Sequence, residues 1–248
     1  MPEPRKTPGR TALAAAALLA TAAPVSAGDA ATMNVLGFSA DGKVFAFEEY
    51  GIQDGSGFPY ASRFYIDTAT DRFLPGTPVR VTLEDEAATV AQARLQARQQ
   101  SQMIYPDETF AGTPGHAAGR NAIPELTADP FRMTVNPRPV FPPIDEPLGF
   151  ALEEVSVAQP ERCRDLGVIK GFRLVRTAAA PGQVAKTVHR DSGIPASRGC
   201  PLGYAIGGVQ TFHPQGGNPV FAVLVAVRQV GFEGPNHRWI AVTGPIPD

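Results

Sequence analysis

The sequence predicts a mainly β protein of antiparallel meanders, propeller-blade-like or sandwich-like, with one α-helix near residues 83–104. Three observations carry this expectation. Glycine and proline number 25 each in 248 residues, about one residue in five against an average nearer one in eight, which is the punctuation of many short strands. Short aromatic and β-branched runs recur between the turn signals, among them RFYID at 63–67, GFRLV at 171–175 and the wholly apolar VFAVLVAV at 220–227. The phrase FSADGKVFAFEEY from Phe38 is matched in outline by FHPQGGNPVFAVLVAV from Phe212. Each has a phenylalanine, a turn with glycine, an apolar strand, a Gly-Phe loop and a second aromatic strand.

The chain opens MPEPRKTPGR, then ALAAAALLA from Ala12 to Ala20, then TAAPVSA. A basic stretch, a short apolar run and the small-residue site Val25-Ser26-Ala27 form a secretory signal-peptide pattern over residues 1–27. The apolar run is too short for a bilayer span of about 20 residues. Residues 28–248 are expected to form a single β-rich domain with no transmembrane segment. Of 22 basic and 24 acidic residues, residues 1–27 hold three and one, so the remainder carries 19 against 23, a net charge of −4. That balance argues against a nucleic-acid partner, which needs a basic stripe to neutralise phosphates.

The stretch Phe38–Asp67 holds five acidic residues, four glycines and eight aromatics. Asp41-Gly42 and Asp54-Gly55 read as tight turns, with strands from Lys43 and from Arg63. A calcium loop is not supported, because the spacing lacks the D-x-[DN]-x-[DN]-G pattern with its closing glutamate. Glu48 and Glu49, neighbours in a strand, point to opposite faces. Thr82 with Asp85 suggests a helix start, Glu84–Glu86 suit its N-terminal dipole, and Arg94 and Arg98 lie toward the negative end. Leu83, Val90, Ala97 and Ile104 recur every seven residues along a thin apolar face, as in a surface helix packed on a sheet. Residues 106–147 contain nine prolines and read as an irregular connecting segment. Val220–Val227 is apolar on both faces, so it is expected at the centre of a sheet, covered on each side, with the Trp239 strand as hairpin partner. Contact with the Phe38–Asp67 unit follows from the repeated phrase.

Cys163 and Cys200 read as one disulfide, since neither CxxC nor zinc-ligand spacing is present. Arg162, Arg164 and Arg198 keep a reactive-cysteine alternative open. Asp191-Ser192-Gly193-Ile194-Pro195 resembles the serine segment of chymotrypsin-like proteases. No matching histidine segment precedes it, and His189 lies only three residues before Ser192, so a polar turn is the better reading. The four histidines, 116, 189, 213 and 237, sit among turn residues and read as solvent-exposed. No Walker loop or GxGxxG occurs, and no cofactor or metal is implied. Trp239 with His237 and Arg238 offers a stacking patch, although a terminal-strand tryptophan is more often core.

The order F-S-x-D-G, strand, loop, strand, D-T-x-T, strand is similar to one blade of periplasmic β-propellers of the TolB kind. Two such units do not close a propeller. The run LGFSADGKVFAFEEYGIQDGSGFPYASRFYIDTATDRFLPGTPVRV resembles the opening of a bacterial family of predicted secreted proteins, domain of unknown function 2259. The Gln-rich helix, the cysteine pair and GFEGPNHRWIAVTG extend that likeness over nearly all of the chain after residue 27. The resemblance implies export in a Gram-negative bacterium and brings no catalytic residues. The functional expectation is a non-enzymatic binding or interaction protein for an envelope protein or ligand. It would offer loops such as 51–62 and 229–238 from a rigid β scaffold, and its candidate residues are Glu49, Asp54, Tyr60, Arg238 and Trp239. The alternative is a hydrolase whose dispersed carboxylates, Glu49, Asp54, Glu153 and Glu154, meet only in space.

Overall fold

The computed structural model describes residues 28–247; the signal-peptide pattern at 1–27 lies outside them. Strands β1 (Thr32–Phe38), β2 (Val44–Ile52), β3 (Pro59–Asp67), β4 (Arg72–Phe73) and β5 (Val79–Thr82) form a first antiparallel sheet. Its order is β1-β2-β3, and β4 and β5 pair with successive stretches of β3. Asp41 closes the β1–β2 turn, accepting the Ser39 hydroxyl and the Lys43 N–H, and these bonds hold its carboxyl down near pKa 2. Gly42 supplies the positive φ, 74°, that the turn requires. This part of the acidic stretch is framework.

Helix α1 (Val90–Gln102) lies on the outer face of the first sheet and α2 (Glu108–Ala111) follows it. The expected helix from Leu83 is shorter than read. Thr82 is spent pairing with Tyr60, and the helix begins at Thr89, whose hydroxyl and the Gln92 side chain form a reciprocal capping box. The acidic cluster 84–86 therefore precedes the helix. Its buried face is Ala93, Ala97 and Ser101, four apart, and small enough for close approach to Ala61 and Val81. Arg94 and Arg98 serve as ion-pair partners of Glu48 and Asp107.

The proline-rich segment contains two short edge strands rather than irregular chain alone. These are β6 (His116–Arg120) and β7 (Arg132–Val135), which join different sheets. Strands β8 (Leu148–Ser156), β9 (Lys170–Thr177) and β10 (Lys186–Arg190) complete a third sheet of order β10-β9-β8-β7. Strands β11 (Pro201–Phe212), β12 (Val220–Gln229) and β13 (Asn236–Pro245) complete the central sheet, of order β13-β12-β11-β6.

The three sheets stack face to face, with the central one covered on both sides. Strand β12 shows why. Val220, Ala222, Leu224 and Ala226 pack against Phe38, Phe45, Phe47 and Phe64 of the first sheet. Phe221, Val223, Val225 and Val227 pack against Phe150, Leu152, Phe172 and Leu174 of the third. Alternating side chains serve opposite cores, which is why both parities must be apolar. Each fully buried side chain of this kind contributes roughly 1.5–3 kcal/mol. The two repeated phrases meet: Phe38 stacks on Phe212 with ring centroids 5.3 Å apart, and an added Cβ on Gly42 would lie 3.1 Å from the Pro214 ring. They lie in stacked sheets rather than as neighbouring blades, so the propeller-blade likeness ends at the level of the hairpin.

Candidate functional site

Strand β13 is one edge of the central sheet, and its outer side faces a cavity of about 480 Å³. Glu49, Tyr60, Arg238 and Trp239 all line this cavity. Trp239 is 6% exposed, and its indole N–H donates to the Ala31 carbonyl at 2.8 Å. The ring lies against Gly207, where an added Cβ would approach to 2.2 Å; a glycine inside a strand marks just such a close approach. The Trp239 backbone N–H donates to the Glu49 carboxylate at 2.8 Å. Glu48, one residue earlier, turns to the opposite face and pairs with Arg94. Burial pushes the Glu49 carboxyl up to about 7, against the Trp239 hydrogen bond and the nearby Arg238 and Arg80 cations. Arg238 pairs with Asp29 at 2.7 Å and its guanidinium lies 4.7 Å from the Tyr60 ring centroid.

Asp54 does not line the cavity. Its carboxylate accepts the backbone N–H groups of Phe232 and Glu233 at 2.7 and 2.8 Å. It thereby latches the loop after β2 to the loop before β13, and Gln53 and Gln229 beside that junction reach the cavity wall.

The facing wall comes from residues that the sequence reading treated as turn and surface. Asp71, in the left-handed region at φ 54°, accepts the Thr243 N–H at 2.8 Å. His189 places Nδ1 3.6 Å from Asp71 and Nε2 3.2 Å from Asp191, and its ring stacks on Phe172. Burial alone would push His189 down, but the bonds to Asp191 and Asp71 outweigh it and hold its pKa near 9. Asp191 also accepts the Phe172 N–H and pairs with Arg198 at 2.6 Å. Burial opposes its ionisation, yet His189 and Arg198 keep its pKa low. None of the four histidines is fully exposed, which corrects the expectation: His116, His189 and His237 lie within strands and are half-buried, as is His213. Ser192 makes no hydrogen bond to His189, so the protease-like phrase holds no nucleophile–base pair; its aspartate is an electrostatic tie.

A disulfide joins Cys163 to Cys200, which removes the reactive-cysteine alternative. It lies in a small apolar cluster with Ile169 and Ile194. Arg162 beside it donates to the carbonyls of Ile194, Pro195 and Gly199. Bridge and arginine together hold the Pro195–Arg198 segment that forms one side of the cavity. Of the signals legible in the sequence, only Arg198 beside Cys200 and the Asp191 phrase lay in the stretch that forms this wall.

The four carboxylates of the hydrolase alternative are not brought together. Glu49 is in the cavity and Asp54 is in the loop latch. Glu153 pairs with Arg173 on the exposed face of the third sheet. Glu154 lines a second cavity of about 260 Å³, where it pairs with Lys170 and accepts the Tyr204 N–H. Among the described residues no group of three or more His, Cys, Asp or Glu is placed to hold a metal ion. No described helix is long and apolar enough to cross a membrane.

A family model described as predicted secreted protein (DUF2259) matches residues 46–245, and the chain belongs to that family. No curated protein and no solved structure matches the chain.

Proposed function

We propose that this predicted secreted protein is a non-enzymatic binding protein of the Gram-negative periplasm, and that its ligand occupies the cavity along β13. The observation that carries the reading is the convergence of Glu49, Tyr60, Arg238 and Trp239 on one cavity beside the outer strand of the central sheet. Its volume lies in the range of small-ligand sites, about 300–1,000 Å³. The signal-peptide pattern and the disulfide support export to an oxidising compartment. N-terminal sequencing of exported protein should then begin at Gly28, and a chain still carrying Met1 would count against the compartment.

One observation favours the hydrolase as second reading: a cavity carboxyl, Glu49, with its pKa raised to about 7. Its carboxylate is nevertheless engaged by the Trp239 backbone, and the other lining acid, Asp71, by Thr243 and His189. Binding is tested on the isotope-labelled mature chain by NMR against acidic, basic and neutral organic fragments. Saturable shifts of the Ile240 and Ala241 amides support it, and a cavity unmoved by every fragment overturns it. Turnover of chromogenic ester or glycoside substrates that disappears in Glu49→Gln would establish the hydrolase instead.

A further inference from the structure

The hydrogen bonds of β13 define which backbone groups point away from β12. His237 donates to Asp29 at 2.7 Å and accepts from Ala31 at 3.0 Å. Trp239 donates to Glu49 and Thr243 to Asp71, each at 2.8 Å. These three residues share one parity, so Ala241, which shares it too, turns its N–H and C=O outward as well. Among the described residues nothing pairs with the Ala241 N–H, the Ala241 carbonyl or the Trp239 carbonyl. The edge is therefore covered at one end by the Asp29–Ala31 segment, tied at intervals by two carboxylates, and open between them. Cavity space lies beside this open stretch, and Ile240, Ala241 and Val242 line it.

The slot is bounded by the first sheet on one side and by the Pro195–Arg198 segment on the other. Its lining carries Arg72, Arg80, His189, Arg198 and Arg238 against Glu49 and Asp71. His189, Arg198 and Arg238 are already paired with aspartates. Arg72 and Arg80 make no ion pair or side-chain hydrogen bond among the described residues. Arg80 lies over the Phe64 ring, its guanidinium 5.6 Å from the ring centroid, with Phe64 itself a cavity residue. Glu49 is the one carboxyl acting on Arg80, and it does so without forming an ion pair. Counting Asp29 and Asp191, the slot sets five cationic groups against four acids, an excess of positive charge on the first-sheet side of an open strand edge.

We infer that β13 accepts an extended acidic peptide segment as a fifth strand of the central sheet, with a carboxylate side chain turned to Arg80. The inference rests on the binding reading above and names the ligand class for the same cavity. Main-chain bonds to Ala241 and to the Trp239 carbonyl supply recognition of an extended backbone. Alternation along the added strand sends every second side chain toward Arg80 and Phe64.

The test uses the mature chain and the peptide Ac-TVEVTV-NH2, with three comparison probes. One is N-methylated on the backbone edge facing Ala241, one carries glutamine in place of glutamate, and the third is glutarate. Binding of the acidic peptide should slow exchange of the Ala241 amide at least tenfold, and N-methylation should weaken affinity at least tenfold. Replacing glutamate by glutamine should weaken binding to the native chain, and Arg80→Gln should abolish that discrimination while leaving the melting temperature of the free protein unchanged. Equal affinity of the N-methylated peptide, or an Ala241 amide unprotected by bound peptide, overturns strand addition. Glutarate binding as tightly as the peptide also overturns it but leaves the cavity a ligand site. Concentration-dependent protection without peptide, with dimers in sedimentation, assigns the edge to a second copy of the chain and overturns the peptide. Absence of binding by all probes in this assay overturns the inference, whereas failure of the fragment screen removes the binding reading beneath it.

Discussion

The Glu49 carboxylate accepts the backbone N–H of Trp239 at 2.8 Å, across 190 residues of sequence. A side chain of the first sheet thus completes the hydrogen bonding of an edge strand in the central sheet, and Asp71 does the same for Thr243. The paired sheets are held in register by carboxylates standing where a neighbouring strand would supply carbonyls. Charged groups covering an edge also discourage uncontrolled strand pairing.

Stability should respond to Glu49 at mildly acidic to neutral pH. Burial raises its carboxyl from 4.5 to about 7, so its contribution is full below pH 4.5 and is lost as pH rises through about 7. The interval corresponds to about 3 kcal/mol. Glu49→Gln keeps an oxygen acceptor for Trp239 without the titration. Urea unfolding at pH 4.5, 6 and 8 should show that loss in the native chain and a flatter profile in the variant. Parallel profiles would contradict the assignment.

His189 governs a different window. Its pKa is raised from 6.5 to about 9 by Asp191 and Asp71 in spite of burial. Its contribution is therefore full below pH 6.5 and is lost as pH rises through about 9. His189→Gln should lower stability at pH 6.5 by about 1–3 kcal/mol, because Asp71 loses its cation and Asp191 keeps only Arg198. It should also remove the decline toward pH 9 in thermal or urea unfolding. A variant that keeps the native decline would assign it elsewhere.

Gly207→Ala should be strongly destabilising, because the new methyl would lie 2.2 Å from the Trp239 ring. Overpacking of this kind costs about 1–3 kcal/mol or more. Near-ultraviolet circular dichroism should report the displaced indole. An unchanged spectrum and an unchanged melting temperature would show that the ring has room to move.

The Cys163–Cys200 bridge closes a separation of 37 residues, worth roughly 4 kcal/mol in the chain-entropy model. Cys163→Ser with Cys200→Ser should lower unfolding free energy by that order. Because the bridge and Arg162 hold the Pro195–Arg198 segment, amide exchange should quicken there before it does in β12. Uniform exchange across both regions would deny the bridge its role in the cavity wall.

Much of the fold was legible because it depends on local alternation. The two-faced apolar pattern of Val220–Val227 requires cover on both sides, and β12 has it. Adjacency in a strand sends Glu48 and Glu49 to opposite faces, and they reach Arg94 and Trp239 respectively. The helix start was misplaced because the chain offers two capping patterns, TLED and TVAQ. Pairing of Thr82 with Tyr60 decides between them, and that pairing is tertiary.

By itself the sequence determined strand-rich architecture, the apolar centre and the pairing of its only two cysteines, since periodicity, turn chemistry and composition act over a few residues. Of the five candidate binding residues it offered, Glu49, Tyr60, Arg238 and Trp239 line the cavity and Asp54 does not. The stacking of three sheets alone decided that Asp71, His189, Asp191 and Arg198 form one network, that Asp54 is a latch, and that β13 keeps an open edge beside Arg80. Such contacts link strands up to 190 residues apart. No local pattern encodes which sheet faces which, because the same alternating apolar faces satisfy the hydrophobic effect in several stacking orders. Side-chain packing and the pairing of buried charges select one of them.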